Sequence, residues 1–280
     1  MVFMRNGKKI AILMATYNGE KYLHQQIDSI ISQTNKDWTL FVHDDGSSDN
    51  TKDILKDYSA KYDDVVLLDY PSQGGSCKNF MSMLESVESE YYMFCDQDDV
   101  WLENKIDVTL NYIKLEEVID SSKAIVAFTD LYVVDSKLNV ICESFWKYSG
   151  IYPSRVHSFS DLAQTTLMTG CTMMFNDNMK KLIRYPYNKA EMHDSWISAC
   201  AYRYGATVIP ICKSLMYYRQ HGENVLGAVG AETYNVKYKL CNFFSMFQVN
   251  LKRYLMLRSL GYGSFIKFLR YKKKYKAYKN

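Results

Sequence analysis

Short, unbroken apolar runs alternate along the first hundred residues with stretches in which apolar side chains recur every three or four positions. The first run, Lys9-Ile10-Ala11-Ile12-Leu13-Met14-Ala15, has the continuous hydrophobicity of a strand covered on both faces. It empties into the polar turn Thr16-Tyr17-Asn18-Gly19-Glu20, after which Leu23, Ile27, Ile30 and Ile31 fall on one side of a helix. Trp38 to Val42 predicts a second strand, Thr51 to Tyr62 a helix with Ile54, Leu55 and Tyr58 inward, and Val65 to Leu68 a third strand. Gly74-Gly75 interrupts the pattern before a helix through Phe80, Leu84 and Val87, and Tyr91 to Cys95 forms the central strand. Strands alternating with helices of about ten to fifteen residues predict an α/β fold with a mostly parallel sheet and right-handed crossovers.

Beyond Trp101 the alternation loosens. Leu102, Ile106, Leu110 and Ile113 mark a helix, Ala124 to Thr129 a strand, and Val133 to Ile141 a hairpin about Asp135-Ser136-Lys137. Thr169 to Phe175 predicts another buried strand, His193-Asp194 opens a mostly apolar helix ending at Tyr204, and Thr207 to Ile211 returns as a strand. No repeat, low-complexity segment or linker interrupts residues 1–236. We read them as one domain, with a nucleotide-binding half over 1–101 and an acceptor-side half over 102–236.

The remainder, 237–280, differs in charge. It holds 12 Lys/Arg and no acid, so residues 1–236 keep 22 basic against 31 acidic residues, a net of −9 hidden behind the whole chain's +3. From Leu240, the residues Phe243, Phe244, Phe247, Leu251, Tyr254 and Leu255 keep helical spacing, and Phe265, Ile266, Phe268 and Leu269 form a second cluster before Lys272-Lys273-Lys274. Aromatics beside acid-free basic residues suit an anionic membrane surface, at about 1 kcal/mol per basic residue near the headgroups. A helical subdomain with a solvated charged face fits the same pattern. Nucleic acid finds no recognition motif.

The seven cysteines are odd in number, scattered and without C-x-x-C spacing, which excludes a disulfide framework or zinc site and suggests thiols in a reducing cytosol. The run Ile10 to Ala15 is too short for a signal-peptide core, and no window reaches the roughly 18 apolar residues of a membrane span. A cytoplasmic protein, peripheral on the inner membrane face if the tail binds lipid, is the expectation.

The chemistry concentrates where Tyr91 to Cys95 empties into Asp96-Gln97-Asp98-Asp99. Open α/β sheets bind ligands at the carboxyl ends of their strands. Alternate residues leaving a strand point the same way, which brings Asp96 and Asp98 together. Such clustered oxygen ligands suit Mg²⁺ or Mn²⁺ carrying phosphates, although a solvated acidic turn accounts for the same residues. The first turn lacks the G-x-G-x-x-G fingerprint, which sets a dinucleotide dehydrogenase aside. No Ser-His-Asp or Cys-His arrangement is legible, and His24, His43, His157 and His193 read as structural.

Four segments in order, Ala15-Thr16-Tyr17-Asn18, His43 to Asp49, Asp96 to Asp99 and His193-Asp194-Ser195-Trp196, resemble the inverting glycosyltransferases of family 2, whose fold is called GT-A. The resemblance covers roughly residues 9–225. Within the family, Asp96 to Trp101, Gly74 to Phe80, Thr169-Gly170-Cys171 and Tyr218 to Val225 look like the bacterial rhamnosyltransferase branch that builds surface polysaccharides. The resemblance implies a donor site of Ala15, Thr16, Tyr17, Asn18, Glu20, Asp44, Asp45, Asn79, Asp96, Gln97 and Asp98, with Tyr17 stacking on the base and Asp45 accepting its N–H. It also implies a cation held by Asp98 and His221 with Asp96 or Asp99 beside them, and Asp194 as general base. Trp101, Gly170, His193 and Trp196 would line the acceptor side. Ser195 departs from the branch, where a tryptophan often stands. The implied reaction moves a sugar, rhamnose from dTDP-rhamnose, to a saccharide or lipid-linked glycan hydroxyl. Two alternatives stay open: a UDP-hexose transferase of the same family, and a non-catalytic, membrane-associated glycan- or nucleotide-binding subunit.

Overall fold

The computed structural model describes residues 3–4, 7–221 and 243–276. The predicted residues Leu240 and Gly222 to Val225 lie outside these ranges, as does 277–280. Strands β2 (Ile10–Thr16), β3 (Trp38–Asp44), β4 (Val65–Leu67) and β6 (Tyr91–Cys95) pair in parallel in the order β4-β3-β2-β6. Between them run α1 (Leu23–Ile31), α2 (Thr51–Lys61) and α3 (Ser76–Ser86), the expected crossovers. Two short strands, β1 (Phe3–Met4) and β5 (Val87–Glu88), pair separately.

Successive strand residues face opposite layers, and both layers are buried. Ala11 and Leu13 of β2 join Tyr92 and Phe94 of β6 in one apolar cluster, while Ile10, Ile12 and Met14 join Tyr91, Met93 and Cys95 in the other. This double burial explains why the strands read as unbroken apolar runs. The register matters for the site: Thr16 faces Asp44, and Met14 faces Cys95. Three strands therefore end at one sheet edge and release their turns side by side.

The second half departs from a simple parallel winding. After β7 (Val100–Trp101) and α4 (Lys105–Ile119), strand β8 (Ile125–Val134) extends five residues past its predicted end and turns into β9 (Val140–Cys142). Asp135 shapes that hairpin by accepting the N–H groups of Lys137 and Asn139 at 2.8 and 2.9 Å. The short helices α5 (Phe145–Ser149) and α6 (Asp177–Leu182) flank the next strand. Residues 170–172 form a 3-10 turn, and only Met173–Asn176 is strand, β10. It inserts antiparallel between β6 and β8, because a buried apolar run specifies coverage on both faces but not direction. After α7 (His193–Tyr204), β11 (Thr207–Arg219) follows β8 in parallel, shifts register twice, and ends against β7. Its length carries the 219–221 segment back to the edge where Asp96 leaves the sheet.

Helices α8 (Phe243–Ser259) and α9 (Phe265–Lys276) pack on the face that carries α3 and α7. Tyr254, Leu257, Tyr262 and Phe268 are buried there, Tyr262 Oη donates to Ser160 O at 2.7 Å, and Arg203 Nε donates to Leu260 O at 2.7 Å. Phe247, Leu255, Ile266 and Leu269 remain exposed. Among the described residues no helix is long and apolar enough to cross a membrane. The described cysteines are free, with Cys95, Cys171 and Cys200 buried, Cys77 and Cys142 partly buried and Cys212 exposed.

Because Leu257 is fully buried in the cluster shared with the sheet, Leu257→Ala should destabilise the whole fold by about 2–5 kcal/mol. One cooperative thermal transition at a lower midpoint is the expected calorimetric result. A separate tail transition with the main one unmoved would contradict the shared core.

Candidate active site

The turn after β2 and the turn after β3 are laced together. Thr16 Oγ1 donates to Asp44 Oδ1 at 3.0 Å, and Asp44 Oδ2 accepts the N–H groups of Gly46 and Ser47 at 3.1 and 2.8 Å. Asn18, held at φ +48°, donates its N–H to Ser47 Oγ and accepts from Ser48 N through its side chain. Glu20 N–H donates to Asp49, and Glu20 Oε2 accepts from Asn50 N. Asn18, Glu20 and Asp44 are thus spent on building the turn, and none of them lines the cavity beside it.

Gln97 joins the acidic turn to this assembly. Its Oε1 accepts Tyr17 N–H at 2.8 Å and its Nε2 donates to Tyr17 O at 2.9 Å. A Cβ on Gly19 would lie 2.3 Å from Gln97 Oε1, so only glycine allows the approach. Tyr17, pinned through its backbone, leaves its ring 58% exposed over the cavity, free to stack on a ligand.

The cavity holds about 570 Å³, of the size that small-molecule ligands occupy. Ala15, Thr16, Tyr17 and Asp45 form one wall with Asn79, and Asp96, Gln97 and Asp98 form the sheet-edge wall. Gly170, His193 and Asp194 close the opposite side. Asp45 Oδ1 accepts from Ser72 Oγ, Gln73 N and Gly74 N, whereas among the described residues Oδ2 accepts only Gly75 N, at 2.7 Å. Burial pushes the Asp45 carboxyl up, yet the Ser72 hydroxyl and these three amides hold it below the usual range. The Oδ2 lone pairs leave room for a base N–H. Asn79 is fixed from beneath: its Oδ1 meets His43 Nδ1 at 2.7 Å and its Nδ2 donates to His43 O. His43 stacks on Tyr70 with ring centroids 3.9 Å apart.

The three acids of the Asp96 turn diverge. Burial first, then the nearby carboxylates of Asp98 and Asp194, push Asp96 up to about 7. Asp98 faces the cavity and brings Oδ2 within 2.8 Å of His221 Nε2. Asp99 turns inward, fully buried: Oδ1 accepts Arg219 N–H at 3.1 Å, and Oδ2 has no hydrogen-bond partner among the described residues. Burial and the charges of Asp98 and Asp96 raise Asp99 well above the carboxylate range. Asp96, Asp99 and Cys171 offer ligand atoms within 4.8 Å of one another, but a soft thiol is a poor match to Mg²⁺ or Mn²⁺. Asp98 and the His221 imidazole stand together at the cavity edge, with Asp96 on the same wall, and these oxygen and nitrogen donors are of the kind that suit Mg²⁺ or Mn²⁺.

Asp194 sits in the first turn of α7, whose N-cap residue is Met192. It is 8% exposed; Oδ2 accepts Gly170 N–H at 3.3 Å and Oδ1 accepts Ser195 Oγ at 3.2 Å. The departure at Ser195 therefore adds a hydroxyl that touches this carboxylate. Gly170 lies against His193: a Cβ there would be 2.3 Å from His193 Nε2. His193 packs between Phe80 and Phe94, and burial depresses its pKa although Asp194 opposes this, so the ring is neutral.

Trp101 and Trp196, expected on the acceptor side, lie in the interior instead. Trp101 is covered by the fully buried Lys105, whose ammonium stands 3.7 Å from its ring, and Trp196 Nε1 donates to Arg184 O at 3.0 Å. Large aromatic area is what burial favours, and proximity to a motif in the chain carries no orientation. Ser72, Ser76, Phe80, Met192 and Tyr218 also line the cavity without having been singled out as site residues. Their signal was positional: most flank glycine turns or predicted site residues.

A crevice at the carboxyl edge of a largely parallel half-sheet, with acids facing a nucleotide-sized cavity, defines the GT-A architecture. In structural comparison, the *S. aureus* TarS fragment 1–349 in complex with UDP aligns with TM-score 0.57 at 19% identity, covering 88% of this chain and 65% of that one. Mannosyltransferase PcManGT from Pyrobaculum calidifontis, solved with GDP-Man and Mn²⁺, gives 0.56 at 12% identity, covering 92% of this chain and 77% of that one. The chain belongs to glycosyl transferase family 2, whose family model matches residues 11–183. It is similar to the dTDP-rhamnosyl transferase RfbG of Shigella flexneri, 29% identical over 248 residues that cover 81% of this chain and 77% of that one. It is also similar to the UDP-Glc:alpha-D-GlcNAc-diphosphoundecaprenol beta-1,3-glucosyltransferase WfgD of Escherichia coli, 29% identical over 102 residues, 36% of this chain and 40% of that one.

Proton and cation compete for Asp96. With its pKa raised to about 7, the carboxylate is mostly protonated at pH 6 and mostly ionised at pH 8. Mn²⁺ affinity should therefore rise by about tenfold between those pH values. Titration of Mn²⁺ by electron paramagnetic resonance would read this, and a flat profile would remove Asp96 from the cation's surroundings.

Proposed function

We propose that this protein transfers a sugar from a nucleoside diphosphate donor to a hydroxyl acceptor with inversion at the anomeric carbon. The observation that carries the reading is the convergence on one cavity of Asp96 and Asp98, the latter paired with His221, on one side and Asp194 on the other. Thr16, Tyr17, Asp45 and Asn79 bind the nucleoside, with Tyr17 as the stacking face. Asp98 and His221, with Asp96 beside them, hold a divalent cation. Bound there, the cation neutralises charge that develops on the departing diphosphate, a Lewis-acid contribution worth several kcal/mol. Asp194 takes the acceptor proton as the new bond forms. The amide of Gly170 and the hydroxyl of Ser195 orient that carboxylate, and the neutral His193 behind Gly170 adds no competing positive charge.

Rhamnose from dTDP-rhamnose is the donor we favour. It is supported by the similarity to RfbG, which extends over most of both chains. UDP-hexose is the second reading, favoured by the similarity to WfgD and by the fold shared with the UDP-bound TarS fragment. Calorimetry with dTDP and UDP, each with Mn²⁺, separates them: tighter binding of UDP would overturn the first choice. Our reading of the acceptor as a lipid-linked glycan in surface polysaccharide synthesis is supported by the diphosphoundecaprenol in the name of WfgD. A purely glycan- or nucleotide-binding role lacks a use for Asp194.

Asp194→Asn should lower kcat by about 10²–10⁴-fold with donor binding retained. Release of nucleoside diphosphate, followed with and without EDTA, is the assay. Full activity in this variant would exclude Asp194 as the base.

The exposed Ile266 and Leu269, with Arg270 and Lys273 on the same turns of α9, support docking of the tail on an anionic membrane. Replacing Ile266 and Leu269 together by Asp should release the protein from phosphatidylserine vesicles in a flotation assay. Unchanged flotation would dispose of this surface.

A further inference from the structure

Arg219 stands at the end of β11, two residues before His221, and its side chain is 1% exposed. The guanidinium joins segments far apart in the chain. Nε donates to Asp98 O at 2.8 Å, Nη1 to Ser136 O at 2.8 Å in the β8–β9 hairpin, and Nη2 to Gln25 Oε1 at 2.7 Å on α1. Its carbon lies 4.4 Å from the centre of the Tyr22 ring, and that same ring lies 4.9 Å from the His221 imidazole. The Arg219 backbone N–H holds Asp99 Oδ1.

We infer that Arg219 is a positioning residue for the cation site, a role that rests on the reading of Asp98 and His221 as its ligands. The argument turns on which acceptors these three N–H groups use. Arginine forms its strongest pairs with carboxylates, and a fork on Asp98 would fill the cation's place. Here the guanidinium grips the carbonyl of Asp98 instead. The residue is fixed through its backbone while its carboxylate stays turned to His221 and the cavity. Meanwhile the backbone N–H of Arg219 draws Asp99 away into the interior, so the two adjacent acids are sorted to opposite sides. His221 is aligned by the same residue twice, through the chain it ends and through the Tyr22 ring that both side chains flank. Asp98 and His221 are 123 positions apart, and a pair assembled from such distant segments binds a cation tightly only if the segments are held in place beforehand.

Mn²⁺ alone is the probe, with binding read by the loss of the free-ion electron paramagnetic resonance signal. Arg219→Lys should weaken Mn²⁺ binding at least tenfold, since a lysine cannot reproduce the planar fork. Gln25→Leu, at an exposed position on α1, removes one acceptor of the fork without touching the acids, and should weaken binding about threefold with an unchanged thermal midpoint. Asp98→Ala tests the underlying site: if the wild type binds no Mn²⁺, or Asp98→Ala binds as well as the wild type, the cation reading itself fails. If the wild type binds and Asp98→Ala does not, wild-type affinity in both Arg219→Lys and Gln25→Leu overturns the role of Arg219. Should Arg219→Lys fail to fold, Gln25→Leu decides alone.

Discussion

Like charge gathered at one sheet edge is the constraint around which the molecule is arranged. Two carboxylates about 4 Å apart near a protein surface repel by roughly 4 kcal/mol, and more as water is excluded. Here Asp96 feels both Asp98 and Asp194, and together with burial this lifts it to about 7. Such a site is stable only if positive charge reaches it. Part is supplied from within: Lys105, fully buried beneath the turn, lies near enough to lower both Asp96 and Asp99, and burial draws its own pKa down to about 8. Protons can supply more, Asp99 having become a poor acid in the dark of the interior. What remains is a negative potential directed into the cavity, the condition under which a cation carrying phosphates binds.

The scaffold holds these charges in place by hydrogen bonds to backbone. Gln97 clasps both polar groups of Tyr17, Asp44 and Asp45 each gather amides of a turn, and Asp194 takes the amide of Gly170. Asp44 also lies 3.9 Å from Lys52 Nζ, whereas Asp45 and Asp194 are oriented by amides with no ion pair among the described residues, which keeps their field intact. The cost of this design falls on the chain path. β11 has to run thirteen residues with two register shifts to return Arg219 and His221 to a turn left behind more than a hundred residues earlier.

The first half was legible because each strand there is covered on both faces and each helix on one, so two periodicities sufficed for Ile10 to Cys95. The carboxyl edge then followed from where the apolar runs stop, and with it Asp96 and Asp98, whereas Thr16, Tyr17 and Asp45 came from the family resemblance. The second half was harder for a physical reason. The short run Met173–Asn176 is as apolar as a parallel strand but enters antiparallel, and direction is decided by the 3-10 turn and the long loop before it. Orientation was also hidden: Asp98 and Asp99 are chemically identical neighbours, and their distant partners His221 and Arg219 are not legible from the turn itself. Trp101 and Trp196 stand beside site residues in the chain and point into the core. The pairing of Asp98 with His221 was accessible through resemblance alone, since no local pattern links positions 98 and 221.

The same accounting of charge extends to the tail. Packing uses Tyr254, Leu257, Tyr262 and Phe268, and leaves Ile266 and Leu269 outward among bases with no acid between them. Residues 1–236 carry a net −9 and 237–280 carry +12, so the chain is strongly polarised. An anionic surface would attract residues 237–280 and repel the net charge of 1–236 within about a Debye length, ~8 Å at physiological salt. Ile266 and Leu269 would then meet the headgroup boundary already drawn in by the bases beside them.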